Sequence, residues 1–177
     1  TGKPVPDPAR VEEVADKARF TRLTASLGLP VPPSLELHEF TTAEQAEHVL
    51  RYPILSKALR SAGGIGVRRL RTPEELAGFL HDRDRSHDFI LQQEMPGKDL
   101  AMTLLCEAGE VYAFNLRQRW FGPRSCGEFG PAVDFEFMAC DWLEEMGRHW
   151  VRETQFTGVA DFDLIFNETS REAWFLE

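Results

Sequence analysis

Gly158-Val-Ala-Asp-Phe-Asp-Leu-Ile-Phe166, followed after a polar turn by Glu172-Ala-Trp-Phe-Leu-Glu177, is the stretch from which the fold reads. Even positions Ala160, Phe162, Leu164 and Phe166 are apolar, and odd positions carry Asp161 and Asp163. Successive strand residues point to opposite faces, so the two aspartates share one face and the apolar set shares the other. A turn centred on Ser170 sets Asp163 opposite Glu177. Like charges opposed across a ladder, roughly 5 Å apart, destabilise it. A cation relieves them, and hard carboxylate oxygens suit Mg²⁺ or Mn²⁺. The competing reading is a solvated outer face whose charges diverge, and a one-residue slip would separate the pair. Alternation alone leaves open whether Asp161 or Asp163 is the first ligand.

Upstream, Tyr52-Pro-Ile-Leu-Ser-Lys-Ala58 reads as a strand with Leu55, Lys57 and Leu59 on one face. A lysine on an apolar face is paired, functional, or snorkelling to the strand end. The loop Ser61-Ala-Gly-Gly-Ile-Gly66 follows it. Gly63, Gly64 and Gly66 allow backbone conformations in which several N–H groups converge on an anion. No GK[ST] closes the loop and no GxGxxG is present, so it is neither a P-loop nor a dinucleotide fingerprint. In Phe89-Ile-Leu-Gln-Gln-Glu-Met-Pro-Gly-Lys-Asp-Leu100 an apolar strand turns irregular. Its backbone can read a flat base edge, with Gln93 and Glu94 adding polar contacts and Asp99 accepting from sugar hydroxyls. Arg117 and Arg119 share a strand face, and with Arg124 they offer forks for phosphate or carboxylate. Gly122 to Gly130 reads as a lid loop.

The remaining pattern alternates helices and strands joined mostly by hairpins. Residues 17–27 form a helix capped by Asp16 and closed by Gly28. Ser34 to His38 is a short strand. Thr41 to Leu50 is a helix with a Thr41/Glu44 capping box. Thr72-Pro-Glu-Glu75 opens a helix, residues 99–106 and 110–119 form a hairpin about Ala108-Gly109, and Asp141 caps a late helix. The expectation is an α+β chain: a proline-rich linker over 1–10, a first lobe over 11–96 and a second over 97–177. Because the chain stops on an apolar strand, it reads as truncated.

The 177 residues are 42% apolar and 28% charged, enough for a core and typical of a globular surface. Twenty Lys and Arg against 29 Asp and Glu leave a net charge of −9, a poor match to nucleic acid or anionic membranes. No apolar run approaches the roughly 18 residues of a spanning helix, so no membrane partner is expected. Three cysteines, at 106, 126 and 140, make no CxxC pair and read as packing thiols of a cytoplasmic protein. The five histidines show no metal spacing.

In order along the chain, several stretches resemble the ATP-grasp superfamily: Asp16-Lys17 with Leu27-Gly-Leu-Pro-Val-Pro32, Tyr52 to Lys57, Gly63-Gly-Ile-Gly-Val67, Thr72 to Leu76, Leu91 to Asp99, and Gly158 to Asp163 with Trp174 to Glu177. The stretch from Asn115 to Gly130 looks most like carboxylate–amine ligase or carbamoyl-phosphate-synthetase members. The resemblance implies two lobes that grasp ATP between them. It implies phosphate contacts from Lys17 and Lys57, a flexible loop at Gly63, Gly64 and Gly66, adenine contacts from Gln93, Glu94 and Met95, a ribose contact from Asp99, and Mg²⁺ (or Mn²⁺) on Asp163 and Glu177.

The implied activity is ATP-dependent activation of a carboxylate as an acyl phosphate for attack by an amine, making C–N in preference to C–S or C–C bonds. Its partners are a small-molecule carboxylate and amine. The alternative is a nucleotide-binding module without turnover. The family's usual N-terminal domain and the Asn two residues after the second carboxylate are missing. In the peptide-ligase branch an arginine often stands where Asp161 stands here, which leaves Arg117 and Arg119 as candidates for substrate or transition-state contacts. The oligomeric state stays open, a homodimer being one option.

Overall fold

A computed structural model describes residues 5–38, 41–84, 88–120, 129 and 132–177. The lid loop of residues 122–130, apart from Phe129, lies outside them with Arg124 and Cys126. The chain divides into two compact units. One gathers residues 5–31, 96–120 and 132–177; the other holds residues 32–95 with Phe129.

In the four-stranded unit the elements run β1 (Ser34–Glu36), α3 (Ala43–Val49), β2 (Ile54–Ala58), β3 (Arg68–Leu70), α4 (Pro73–Asp82) and β4 (Phe89–Gln93). The strands form an antiparallel sheet in the order β1-β4-β2-β3. Its core packs Ala46 and Leu50 of the α3 end and Leu76 and Phe79 of α4 against Ile54 and Leu91. Thr72 caps α4 and Pro73 opens it, as expected. The capping box of α3 sits one residue later than expected, on Thr42 and Gln45. The reason is that the Thr41 hydroxyl accepts from the His38 N–H and closes the preceding loop instead.

The five-stranded unit holds α1 (Pro8–Val14), α2 (Lys17–Ser26), β5 (Lys98–Glu107), β6 (Glu110–Trp120), β7 (Asp134–Met138), α5 (Asp141–Thr154), β8 (Gly158–Asn167) and β9 (Glu172–Phe175). Its antiparallel sheet runs β7-β6-β5-β8-β9. Two expectations change here. The linker over 1–10 gives way to α1, because Asp7 accepts from the Ala9 N–H and Pro8 fits the first helical turn, where no amide is needed. Residues up to Val31 also pack with this unit rather than with the first lobe, because Phe20 of α2 lies against Trp150 and Phe162, with ring centroids 6.2 Å apart in both pairs.

Burial along β8 alternates with period two, as the sequence pattern requires. Leu100, Met102 and Leu104 of β5 join Phe162 and Leu164 on the inner face under α2 and α5. The Trp150 indole, fully buried, donates to the Thr24 hydroxyl at 3.1 Å, which ties α5 to α2. Asp141 is the first residue of α5 and not its cap: the N-cap is Cys140, which makes no side-chain bond, and the Asp141 carboxylate instead favours the positive end of the helix. Cys106 is a packing thiol whose pKa burial pushes up. Gly97 enters β5 with φ 153°, and a Cβ there would stand 2.5 Å from the Phe166 carbonyl oxygen. The two strands can approach so closely only with glycine at that position.

Candidate functional site

The outer face of the five-stranded sheet carries charge where the inner face carries hydrocarbon. Register places Ala101 of β5 between Arg117 of β6 and Asp163 of β8, and Thr103 between Asn115 and Asp161. All of these, with Asp99 and Arg119, share the outer face by alternation. Ala101 is small enough for the Arg119 side chain to cross β5, and its Nη1 donates to Asp163 Oδ1 at 2.7 Å while its Nε donates to Asp99. Arg119 therefore joins two carboxylates from two strands. Burial opposes its charge, but Asp163 and Asp99 outweigh that effect and its pKa moves up. Burial raises the Asp163 carboxyl to about 6, against the lowering pull of Arg119, with Glu177 and Asp99 adding to the rise.

The meeting of Asp163 with Glu177 comes about differently from the expected register. The turn is centred between Thr169 and Ser170, so the β8–β9 ladder pairs Leu164 with Phe175 and Ile165 with Trp174. That is the one-residue slip that would carry Glu177 past Asp163. The chain compensates at its end: the Leu176 N–H donates to the Asp163 carbonyl and the Asp163 N–H donates to the Glu177 carbonyl, both at 2.8 Å. Two residues thus oppose one, a bulge that returns Glu177 to Asp163.

Lys17 completes this group. Asp16 caps α2 by accepting from the Ala18 and Arg19 N–H groups, both at 3.1 Å, which sets Lys17 as the first helical residue. Lys17 is 5% exposed, and its Nζ lies 2.6 Å from Glu177 Oε2. Five residues singled out from sequence (Lys17, Asp99, Arg119, Asp163 and Glu177) thus come together within one unit. Asp163 and Glu177 offer the hard oxygen donors that Mg²⁺ takes, and burial, with smaller contributions from Glu177 and Asp99, raises the Asp163 carboxyl. Among the described residues no group of three or more His, Cys, Asp or Glu is placed to share a metal.

Arg117 stands beside them in other company. Its Nη1 donates to the Thr103 hydroxyl at 2.6 Å and to Asn115 Oδ1 at 2.9 Å. Its Nη2 lies 3.2 and 3.3 Å from the two oxygens of Asp161, a half-exposed carboxylate. Asp161 therefore pairs with Arg117 across β5, and the first carboxylate beside Glu177 is Asp163. Sequence reasoning missed Thr103 and Asn115, although each shares strand parity with the charged residues of its own strand.

The other candidates belong to the four-stranded unit. Lys57 is 6% exposed on β2, and its Nζ donates to Gln92 Oε1 at 2.7 Å; Gln92 in turn donates to the Ser34 hydroxyl at 3.2 Å. Gln92 was not singled out from sequence, yet it is a buried amide in an otherwise apolar stretch of β4 and aims Lys57. Gly63, Gly64 and Gly66 all have positive φ, between 64° and 77°, and Gly64 lies so close to the Phe129 carbonyl that no side chain fits. Gln93 accepts from the Arg51 N–H at 3.0 Å and lies 3.8 Å from the Met95 sulfur. Glu94 receives Arg69 in a fork at 2.7 and 2.5 Å, and its N–H donates to the Pro53 carbonyl.

No family model matches the chain. The large chain of carbamoyl phosphate synthase from Methanothrix thermoacetophila is 29% identical over 90 residues, 49% of this chain and 8% of that protein. The arginine-specific large chain from Halalkalibacterium halodurans is 26% identical over 110 residues, 58% and 10%. The biotin carboxylase domain of Hydrogenobacter thermophilus 2-oxoglutarate carboxylase, solved with MgADP, ADP and bicarbonate, superposes with TM-score 0.76 at 19% identity, over 97% of this chain and 41% of that one. The VanG D-Ala:D-Ser ligase of Enterococcus faecalis gives 0.75 at 18%, over 93% and 52%, and the N5-carboxyaminoimidazole synthase of Aspergillus clavatus gives 0.76 at 17%, over 97% and 46%. These structures are ATP-grasp ligases, and the chain has the ATP-grasp fold. It spans about a tenth of the curated relatives it matches and about half, or less, of these structures. Among the described residues no helix is long and apolar enough to cross a membrane.

Proposed function

We propose that the protein is an ATP-dependent ligase that activates a small-molecule carboxylate for attack by an amine. The observation that carries this reading is the cluster of Lys17, Glu177, Asp163, Arg119 and Asp99 on one sheet face. Two carboxylates with hard oxygens, set beside two fixed cations, match the demands of a metal–triphosphate complex.

In the proposed reaction a carboxylate oxygen of the acid attacks the γ-phosphorus of ATP. The bond from that phosphorus to the β–γ bridging oxygen breaks, which yields an acyl phosphate and ADP. The amine nitrogen then bonds to the acyl carbon, inorganic phosphate leaves, and the nitrogen gives up its proton to solvent. Asp163 and Glu177 would hold Mg²⁺, whose chemistry when bound is to offset phosphate charge. Lys17 and Lys57 neutralise phosphate oxygens, and Gln92 keeps the Lys57 ammonium aimed. The amides of the Gly63–Gly66 loop donate to phosphate oxygens, the segment Gln93–Met95 borders the adenine, and Asp99 accepts from the ribose once Arg119 yields it. Arg117 and Arg119 meet the acid or the transferring phosphoryl group. The work is positioning and charge neutralisation, with no covalent enzyme intermediate. The same reading places the protein in the cytoplasm.

The test is ADP formation from Mg²⁺-ATP by the full-length protein across a panel of acids and amines. Acid-dependent ADP release is expected, and Lys57→Ala should lower its single-turnover rate about 100-fold or more, as for other charged groups aimed at developing charge. Wild-type rates in that variant would remove Lys57 from the mechanism. A second reading is a nucleotide-binding module without turnover. Nucleotide binding with no ADP release in any acid–amine pair would establish it.

A further inference from the structure

We infer that Arg117, Phe135 and Phe137 form the acid subsite of this sheet face, so that the carboxylate substrate carries an apolar chain of about phenyl size. The inference rests on the ligase reading above and deepens it by choosing between the two arginines.

Arg119 is already committed: its Nε and Nη1 each serve a carboxylate, and its charge is more than matched by Asp99 and Asp163. An incoming anion there would meet two negative groups. Arg117 is held differently. Two of its partners, Thr103 and Asn115, are neutral, and the third, Asp161, is half exposed and screened by water. Its Nη groups are pinned by residues of its own strand β6 and of β5 and β8, so the fork is rigid before anything binds. Among the described residues no acceptor takes its Nε–H, which leaves the Nε side of the fork as a donor edge for a carboxylate.

The next strand supplies the second half. In β7, Phe137 stands directly opposite Arg117 and Phe135 directly opposite Arg119, both on the outer face. The Arg117 guanidinium lies 5.7 Å from the centre of the Phe135 ring, within cation–π range. Phe137 is 75% exposed and Phe135 50% exposed. Exposed aromatic rings beside an unspent guanidinium edge fit one class of occupant: an acid whose carboxylate meets Arg117 and whose chain lies along the rings. A bicarbonate-sized substrate would leave both rings in water.

The experiment titrates the full-length protein with 4-fluorophenylacetate and with fluoroacetate, read by ¹⁹F NMR, and separately with a fluorescent ADP analogue. The aromatic acid is expected to bind at least tenfold more tightly than fluoroacetate. Phe137→Ala should weaken the aromatic acid several-fold and leave fluoroacetate unchanged. Arg117→Gln should weaken both acids about tenfold or more, and Arg117→Lys should recover part of the loss, with thermal melts showing that each variant folds. Equal or absent binding of the two acids, or wild-type binding by Arg117→Gln, overturns the subsite. ADP-analogue binding without acid selectivity sinks the subsite and leaves the ligase reading. Acid selectivity without ADP-analogue binding upholds the subsite and sinks the ligase reading.

Discussion

The two faces of the five-stranded sheet are made by alternate residues of the same strands, yet they obey different physics. Inward, Leu100, Met102, Phe162 and Leu164 are closed over by α2 and α5 and contribute through area removed from water. Outward, Asp99, Arg117, Arg119, Asp161 and Asp163 are spaced by ion pairs that span three strands. One face holds the fold together; the other spends part of that stability on holding like charges near one another. Substitutions on the inner face should therefore move stability, and those on the outer face should move binding.

The largest stability effect is expected from Phe162→Ala. Its ring meets Phe20, Trp150 and Phe175, with centroids 5.0 to 6.2 Å away, and chemical denaturation should show a loss of about 3–5 kcal/mol. A loss under about 1 kcal/mol would mean that the inner face is not the core.

The next effect concerns pH and has the opposite sign to that of an ordinary aspartate. Asp163 titrates near 6 in the folded chain against 3.8 for the free group, so the folded state binds more protons between roughly pH 4 and pH 6. Its contribution to stability is present below that window and is lost as pH rises through it. Relative to Asp163→Asn, the wild type should lose up to about 3 kcal/mol between pH 4 and pH 7, the full shift of about two units converted to free energy. A difference that stays flat with pH would deny that the Asp163 carboxyl is buried on the outer face.

Gly97→Ala should cost about 2 kcal/mol, because its Cβ would meet the Phe166 carbonyl at a φ that L-residues rarely adopt. Denaturation midpoints check this, and a neutral result would mean that the start of β5 can shift. The smallest effect belongs to the exposed pair Lys98–Glu168, 2.7 Å apart. Lys98→Ala should change stability by less than about 1 kcal/mol and lose even that in high salt.

The alternation of Gly158–Phe166 made the last hairpin legible, and the glycine after Leu27 with the Thr72-Pro73 start made two helices legible. What sequence patterns could not show were contacts decided by neighbours distant along the chain. Strand β7 was passed over because Asp134-Phe-Glu-Phe-Met138 alternates for only one short run, and its phenylalanines are exposed, so the alternation marks no core-facing side. The Asp163–Glu177 pair was anticipated for the wrong reason: the expected register is off by one, and a bulge at Leu176–Glu177 repairs it. Bulges depend on backbone geometry that residue types do not announce. The Arg117–Asp161 and Arg119–Asp163 pairs needed the strand order β6-β5-β8, which no local signal specifies.

In the proposed function Asp163, beside Glu177 and Lys17, receives the metal–nucleotide complex. Titration calorimetry of Mg²⁺-ADP against the full-length wild type and Asp163→Asn tests it most directly. Binding by the wild type and a loss of at least tenfold in the variant, about 1.4 kcal/mol, is the predicted result. Equal affinity in the two proteins, or none in the wild type, would contradict it.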